Sequence, residues 1–250
     1  MLPVAFEDAT KAIHAFLLSG KEYVCLMQLH DDVPQKTVED AFSEFVGEIF
    51  QKPPLRASVR RVVRKRMIYG LEVLEIEGRL ALFKISCQAG TYVRKICSDM
   101  GEVLGCGAHM KELRRTRAGP FDEDKNLCSM YDLLDAQEDL KERKDETKMR
   151  SAIRPVEEAF EFIPKIHVRD SAVDAICHGA DLAMPGVVKL DKGIGVATPL
   201  VLMTMKGEVV ALARALLSAE QILEQNHGIA AKTIRVIMPR GTYPRSWKES

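Results

Sequence analysis

The sequence predicts an α+β protein, in which a mixed or antiparallel sheet with helices precedes a small β-barrel-like domain. Two patterns predict this class. Strand-like runs of alternating apolar residues lie between segments with helical apolar spacing, and residues 165–248 contain short β-rich runs punctuated by glycine and proline. With 250 residues and 46% hydrophobic content, the chain is long enough to form two domains.

The first elements follow from residue spacing. Residues 7–18 have one apolar helical face and acids near their start, which predicts a short helix. Residues 22–30 predict a half-buried strand, with Tyr23, Cys25, Met27 and Leu29 on one face. Thr37 is the predicted N-cap of a helix whose apolar spacing extends to Ile49, before QKPP at 51–54 breaks it.

The later elements are also visible in the sequence. Residues 57–86 predict strands, with a hairpin turn at residues 77–79, and residues 90–105 predict a helix that ends near a glycine. AHMKELRRTR is expected to form a strand or a loop. Residues 139–153 have little apolar content, which is typical of an interdomain linker or an exposed helix.

Charge is unevenly distributed, although the formal net charge is zero. Residues 52–66 and 232–248 contain basic residues and no acid, whereas residues 132–146 are strongly acidic. The two basic segments contain Lys52, Arg56, Arg60, Arg61, Arg64, Lys65 and Arg66, and then Lys232, Arg235, Arg240, Arg245 and Lys248. One such run is equally typical of a solvated surface. Two runs, the second interleaved with Tyr243 and Trp247, favour a nucleic-acid partner.

Several other classes of protein are disfavoured. No run of about 18 apolar residues is present to span a membrane, and the opening residues are acidic where a secretory signal would be apolar. The six cysteines include no CxxC pair, and the histidines, His109 among them, are scattered along the chain. We therefore expect no metal site and an intracellular, cytoplasmic protein.

Four motifs occur in an order and spacing that resemble a known family. They are KEYVCLMQLH, FQKPPLRASVRR, ISCQAGTYVRKICSDMG and GCGAHMKELRRTRAGPF. Together they resemble the dyskerin-type, archaeal and eukaryotic branch of the tRNA pseudouridine-55 synthase family. The later KIHVRDSAVDAICHGADLAMPGVVKLDKGI and RVIMPRGTYPRSW resemble the PUA domain of that branch.

The resemblance implies an RNA pseudouridine synthase that isomerises uridine without a cofactor. It implies a catalytic domain at 1–150 whose sheet is incomplete at its N-terminus, a linker at 151–164 and a PUA domain at 165–248. The implied partners are an H/ACA guide RNA, an rRNA or tRNA substrate and small protein subunits of the H/ACA particle, with no membrane. Direct, unguided action on tRNA stays open as an alternative.

The resemblance also implies roles for individual residues. Tyr23 would pack against the target base, Arg94 would pair with the catalytic carboxylate, and Leu113 would line the base pocket. Residues expected to contact RNA are Lys21, Arg60, Arg61, Arg114, Arg115, Lys232, Arg235, Arg240 and Arg245. Without the resemblance, Tyr23 and Leu113 would be interpreted as core residues and Arg94 as a surface residue.

One departure from the family concerns the nucleophile. In relatives, a catalytic aspartate lies in a GTLDP-like loop just before a VLPV…ATK segment, and this chain begins within that segment, at MLPVAFEDATK. Neither Asp8 nor Asp99 matches the motif. We expect a polypeptide of these 250 residues to be inactive, and we favour a misplaced gene start, a split gene or a sequencing break as the cause. A non-catalytic RNA-binding scaffold is the alternative.

Overall fold

The computed structural model describes residues 1–13, 19–54 and 59–245. Contacts divide the chain into two units: Met1–Pro3 with Phe16–Leu127, and Val4–Ala15 with Cys128–Ser250. The second unit thus begins before the predicted catalytic-domain limit at residue 150. The domain limits drawn from the family resemblance stay a prediction.

The first unit contains one six-stranded antiparallel sheet in the described residues. Its strands are β1 (Lys21–Leu29), β2 (Gly47–Gln51), β3 (Arg64–Glu77), β4 (Leu80–Cys87), β5 (Ala108–Ala118) and β6 (Phe121–Asp122). They lie in the order β2-β3-β4-β1-β5-β6. The helices are α1 (Gln35–Glu44), α2 (Val93–Val103) and the short α3 (Glu123–Asn126). Strand β1 is therefore central.

The core of this unit lies on one face of the sheet. Alternate residues of β1 and β4 are buried there, as expected from the two-residue period of a strand. They pack with buried residues of α1 and α2, and the cluster includes Cys25, Met27, Leu29, Val38, Phe42, Phe83, Ile85, Ile96, Cys97 and Met100. The apolar faces predicted for these strands and helices thus pack together in one core between the helices and the sheet.

The second unit contains another six-stranded sheet, whose strands are short. They are β7 (Lys165–Val168), β8 (Leu182–Ala183), β9 (Val187–Leu190), β10 (Pro199–Thr204), β11 (Val209–Ala215) and β12 (Ile229–Val236). Their order is β8-β12-β11-β10-β7-β9. Only the β10–β7 pairing is parallel among the described strands. This arrangement agrees with the predicted β-barrel-like domain.

Four α-helices of the second unit are described. They are α4 (Met130–Glu142), α5 (Thr147–Ala152), α6 (Asp170–Cys177) and α7 (Ala219–Glu224), and 3-10 helices span Glu7–Ala12, Val156–Phe160 and Met184–Gly186. Ser129 and Ser218 begin α4 and α7 with capping boxes. Phe160, within the predicted linker, is fully buried. Glu157, in the same stretch, accepts from the Val209 backbone N–H at 3.2 Å.

Several predicted elements are confirmed. Strand β1 buries Cys25, Met27 and Leu29 on one face, with Tyr23 partly buried against the same cluster. The hairpin between β3 and β4 turns at Gly78, whose φ of 56° lies in the left-handed region that favours glycine. AHMKELRRTR forms most of β5, so the strand alternative was right.

Other boundaries were wrong. Helix α1 begins at Gln35, with Pro34 rather than Thr37 at its N-cap, and Ile49 belongs to β2. Residues 59–63 are not in a strand. Of the helix predicted at 7–18, Glu7–Ala12 forms a 3-10 helix, and residues 14–18 lie outside the described residues.

Gly101 is required where α2 crosses β5. A Cβ atom at Gly101 would lie 2.1 Å from the backbone nitrogen of Ala108, so an alanine has no room. We expect Gly101→Ala to lower the free energy of unfolding by about 1–3 kcal/mol or more, because the helix must move off the strand. Gly70→Ala is the matched control, since a Cβ there meets nothing within 4 Å. Urea denaturation of both variants measures the difference, and equal stabilities would contradict the expectation.

Candidate functional site

Tyr23, Leu113 and Arg115 lie on one face of the β1–β5 pair. Tyr23 is directly opposite Arg115, and Cys25 is directly opposite Leu113. Directly opposite residues of an antiparallel pair project to the same face, so Tyr23 and Leu113 are diagonal neighbours. Leu113 is 41% exposed, which is unusual for a leucine on the core face of a strand. The structure therefore brings two of the three predicted active-site residues together.

A β-bulge in β5 creates this arrangement. Glu22 is opposite Arg117, but Tyr23 is opposite Arg115, so Thr116 is the extra residue. The Thr116 hydroxyl donates to Glu22 Oε1 at 2.9 Å, and the Ser86 hydroxyl donates to Glu22 Oε2 at 3.0 Å. Arg117 Nη2 also lies 3.8 Å from Glu22 Oε2. A half-buried carboxylate thus holds the bulged residue from the opposite face of the sheet.

The surroundings of Tyr23 are both apolar and cationic. Burial raises the pKa of the Tyr23 hydroxyl, and the Cys87 thiol adds to the rise, whereas the positive charge of Arg115 and a hydrogen bond from its guanidinium lower this pKa. Burial also lowers the pKa of Lys21, and the charge of Arg115 adds to that effect. Arg115 further donates from Nε and Nη2 to the Met1 carbonyl at 2.9 and 2.8 Å. Arg115 is therefore engaged within the protein.

Arg94 is the second residue of α2 and is exposed. Sequence reasoning missed the residue that anchors its helix, Gln51. The Gln51 side-chain amide donates to the Tyr92 carbonyl at 3.2 Å and accepts from the Tyr92 backbone N–H at 3.0 Å. Gln51 is only 3% exposed, and it is the last residue of β2. It therefore ties the start of α2 to the point where the basic segment 52–66 begins.

The basic segment 52–66 is described except for residues 55–58, so Arg56 lies outside the described residues. Arg60 and Arg61 are exposed, as predicted for RNA contacts. Arg61 Nε donates to the Pro53 carbonyl at 3.3 Å, which holds one end of the segment against the other. Lys65 forms an ion pair with Glu48 at 2.8 Å and lies over the Phe50 ring, 5.5 Å from its centre.

Arg114 and Lys21, which were predicted to contact RNA, each have a partner within the protein. Arg114 is exposed and forms an ion pair with Glu123, at 2.9 Å. It is opposite Val24 and so projects to the face away from Tyr23. The Lys21 ammonium donates to the Ser19 carbonyl at 2.7 Å. Their predicted RNA contacts stay predictions.

In the second unit, another bulge gathers basic residues on one surface. Lys232 is opposite Arg214 and Arg235 is opposite Leu212, so Ile234 is the extra residue of β12. Lys232 and Arg235 therefore share a face with Arg214, although a regular strand would separate two residues three positions apart. All three basic residues are exposed. This face is a candidate RNA-binding surface.

The end of the basic C-terminal segment is partly neutralised. Arg245 Nε lies 3.9 Å from the buried Asp174 carboxylate. Tyr243 is 7% exposed, and its hydroxyl donates to Glu208 at 2.5 Å. The ring packs in the domain core, so this aromatic residue of the basic segment is not exposed for stacking. Trp247 and Lys248 lie outside the described residues.

A pocket of about 430 Å³ lies in the second unit, next to the end of β12 at Val236. It is lined by Lys11, Cys177, His178, Gly179, Val236, Met238, Pro239 and Arg240. Arg240 was predicted to bind RNA, whereas no role was predicted for Lys11. Two cationic side chains beside apolar walls suit a phosphate and an unstacked base.

Within ranges 1–13, 19–54 and 59–245, no group of three or more histidine, cysteine, aspartate or glutamate side chains could hold a metal ion. No helix in those ranges is long and apolar enough to cross a membrane.

Three family profiles match the chain. The tRNA pseudouridylate synthase B C-terminal domain matches residues 94–161, the PUA domain matches residues 164–237, and the family described as Pus10, C-terminal, matches residues 4–104. The probable tRNA pseudouridine synthase B of Methanosarcina barkeri is 52% identical over 247 residues, covering 99% of this chain and 73% of the relative. The protein of the same name from Thermococcus kodakarensis is 51% identical over 249 residues, covering 100% and 74%.

Solved structures agree with these relatives. A crystal structure of a Cbf5-Nop10-Gar1 complex contains a chain with 49% identity and a TM-score of 0.94, covering 98% of this chain and 74% of that one. A structure of an H/ACA RNP bound to a substrate RNA containing 2'-deoxyuridine contains one with 47% identity and a TM-score of 0.89, covering 97% and 74%. The family resemblance inferred from the motifs is thereby confirmed.

Gln51 provides a test of how the start of α2 is held. We expect Gln51→Leu to lower the free energy of unfolding by about 1–3 kcal/mol, because the part-buried Tyr92 N–H loses its partner. The Tyr92 carbonyl keeps the backbone N–H groups of Lys95 and Ile96. Gln35→Leu is the control, since Gln35 is exposed and its side-chain amide donates to Glu39 on the same helix. Thermal and urea unfolding followed by circular dichroism would measure both. An equal loss in the two variants would contradict a special role for Gln51.

Proposed function

The chain belongs to the tRNA pseudouridine synthase B family, and we propose that it acts as the uridine-isomerising subunit of an H/ACA-type ribonucleoprotein. The observation that carries the proposal is that Tyr23 and Leu113 are diagonal neighbours on one face of the sheet. The chain that contains them is 52% identical to a family member, over 99% of its own length. In the proposed reaction, the uracil base is detached from its ribose, rotated and rejoined through carbon.

The geometry around Tyr23 supports a site for a flipped base. A uracil taken out of its helix needs a flat, largely apolar partner, and the partly buried Tyr23 ring offers one. Leu113 is exposed on the same face and would supply an apolar wall. Arg94, at the start of α2, is the residue proposed to pair with the nucleophilic carboxylate, since a guanidinium can hold a carboxylate through two hydrogen bonds.

Guide-directed action fits the second unit better than direct action on tRNA does. The related solved structure with a substrate RNA is an H/ACA particle. In guided systems, base pairing selects the target and the protein reads backbone shape and a short motif. Lys232, Arg235 and Arg214 form a surface suited to an RNA backbone, and the pocket beside Arg240 is suited to one unstacked nucleotide.

The alternative is a non-catalytic RNA-binding scaffold. The exposed basic surface of β12 would serve that function as well, since binding an RNA backbone requires no catalytic group. The in-frame DNA before the Met1 codon tests the two explanations. A continuous GTLDP-coding stretch would support a longer catalytic protein, and an in-frame stop codon would support the scaffold.

A turnover assay on the 250-residue chain tests the scaffold function and the expected inactivity. We expect the purified 250-residue chain to bind H/ACA guide RNA but to release no tritium from a guide-paired target RNA labelled at uridine C5, because it lacks the aspartate motif. A guide RNA with a scrambled pairing sequence is the control for background release. Tritium release above that background would refute the scaffold function and the expected inactivity together.

The basic surface of β12 should contribute affinity that depends on salt. We expect Arg235→Ala to weaken guide-RNA binding and to reduce the slope of log affinity against log salt by about one, because one phosphate contact is lost. Lys192→Ala removes an exposed cation of the same unit outside that surface and should leave the slope unchanged. Fluorescence anisotropy across a salt series measures both, and an unchanged slope for Arg235→Ala would exclude the contact.

A further inference from the structure

Arg115 differs in its contacts from the RNA-binding arginine that the sequence suggested. Its guanidinium is directed at Tyr23 and the Met1 carbonyl, and the residue is only partly exposed. Arg114, its neighbour, projects to the opposite face of the sheet and is exposed. Two adjacent arginines in one motif therefore have different surroundings.

The backbone explains why Arg115 reaches Tyr23. Without the bulge at Thr116, the pairing of Glu22 with Arg117 would place Thr116 opposite Tyr23. The extra residue advances β5 by one position, so that Arg115 faces Tyr23. Bulges commonly redirect side chains in this way. The position of Arg115 thus depends on Thr116 remaining outside the regular pairing.

Glu22 is the group that holds Thr116 in place. Its two carboxylate oxygens accept from Thr116 at 2.9 Å and from Ser86 at 3.0 Å, on neighbouring strands β5 and β4. Hydrogen bonds to a carboxylate are stronger than those between neutral groups. Because Glu22 precedes Tyr23 directly, one short segment of β1 fixes both the bulge and the ring.

From this geometry we propose that Arg115 and Glu22 are positioning residues for Tyr23: Glu22 pins the bulge at Thr116, and the bulge holds the Arg115 guanidinium against the Tyr23 hydroxyl. Neither side chain contacts RNA in this proposal. The packing of Tyr23 against a target base rests on the proposed function. The effect of Glu22 on Tyr23, through Thr116 and Arg115, does not depend on that function.

Titration of Tyr23 tests the proposal without requiring turnover. The chain has five tyrosines, so 3-fluorotyrosine is incorporated and the Tyr23 resonance is assigned in the fluorine NMR spectrum with a Tyr23→Phe variant. The charged or titratable groups that shift the Tyr23 pKa are Cys87 and Arg115, and Lys21 lies two residues away on the same face of β1. Since Arg115 lowers the Tyr23 pKa, we expect Arg115→Ala to shift that pKa upward and Arg115→Lys to shift it less.

Glu22 gives the sharper result because two explanations predict opposite signs. Removing a nearby negative charge alone would lower the Tyr23 pKa, since the phenolate becomes easier to form. Loss of the bulge would instead raise it, because Arg115 is released. We expect an upward shift for Glu22→Ala and no upward shift for Glu22→Gln, which keeps an oxygen acceptor for Thr116.

The double variant and the controls complete the experiment. Glu22→Ala should add no further upward shift in an Arg115→Ala background, because the two residues act through one connection. Glu72→Ala removes a carboxylate from the same unit, one paired with Lys84 at 3.0 Å, and should leave Tyr23 unshifted. Arg114→Ala should do the same. Circular dichroism establishes that each variant is folded.

Two outcomes would overturn the proposal. The first is a downward or absent shift in folded Glu22→Ala. The second is a loss of guide-RNA affinity and of salt slope in Arg115→Ala equal to that in Arg114→Ala, because Arg115 would then be a phosphate contact. If the Tyr23 shifts occur but no guide RNA binds, the proposed function fails and the positioning connection stands.

Discussion

The pairing of β1 with β4 on one side and β5 on the other determines where the candidate site lies. Because the side chains of a strand alternate, a shift of one residue would turn Tyr23 from the core face to the opposite face. The buried set Cys25, Met27 and Leu29 opposes such a shift, since all three would leave the core. The hydrophobic core therefore fixes the orientation of the residue proposed to meet the target base.

Within that register, a polar interaction on the opposite face adjusts the site. Glu22 bonds to Ser86 and Thr116 on the two neighbouring strands, and so stabilises an irregular place in β5. The irregularity places Arg115 opposite Tyr23 and leaves Arg114 facing away. Packing thus chooses the face of the sheet, and hydrogen bonding chooses which arginine reaches the ring. Strand β12 uses a similar irregularity at Ile234 to place Lys232 and Arg235 together.

Much of the first unit was predictable because local spacing reflects burial. Strand β1, the hairpin at Gly78 and the helix after Thr91 each have their own periodic or turn signal. The end of α1 was not predictable in this way. Ile49 continues the helical spacing of Val38 and Phe42, yet it lies in β2, because residues 47–51 pair with the start of β3. The conformation of residues 47–51 is therefore determined by pairing with a strand that is distant in the sequence, and no local pattern predicts that pairing.

The sequence by itself determined the family, the α+β class and the basic segments, because motifs and charges are properties of consecutive residues. That Tyr23, Arg94 and Leu113 are site residues stays a prediction from the same motifs. Only the tertiary structure decided that Tyr243 is buried, that Gln51 holds the start of α2, and that Arg115 faces Tyr23. Each of these depends on two segments that are distant in the chain. The physical reason is that a bulge or a buried hydrogen bond is formed between strands, and its partners are chosen by the register of the whole sheet.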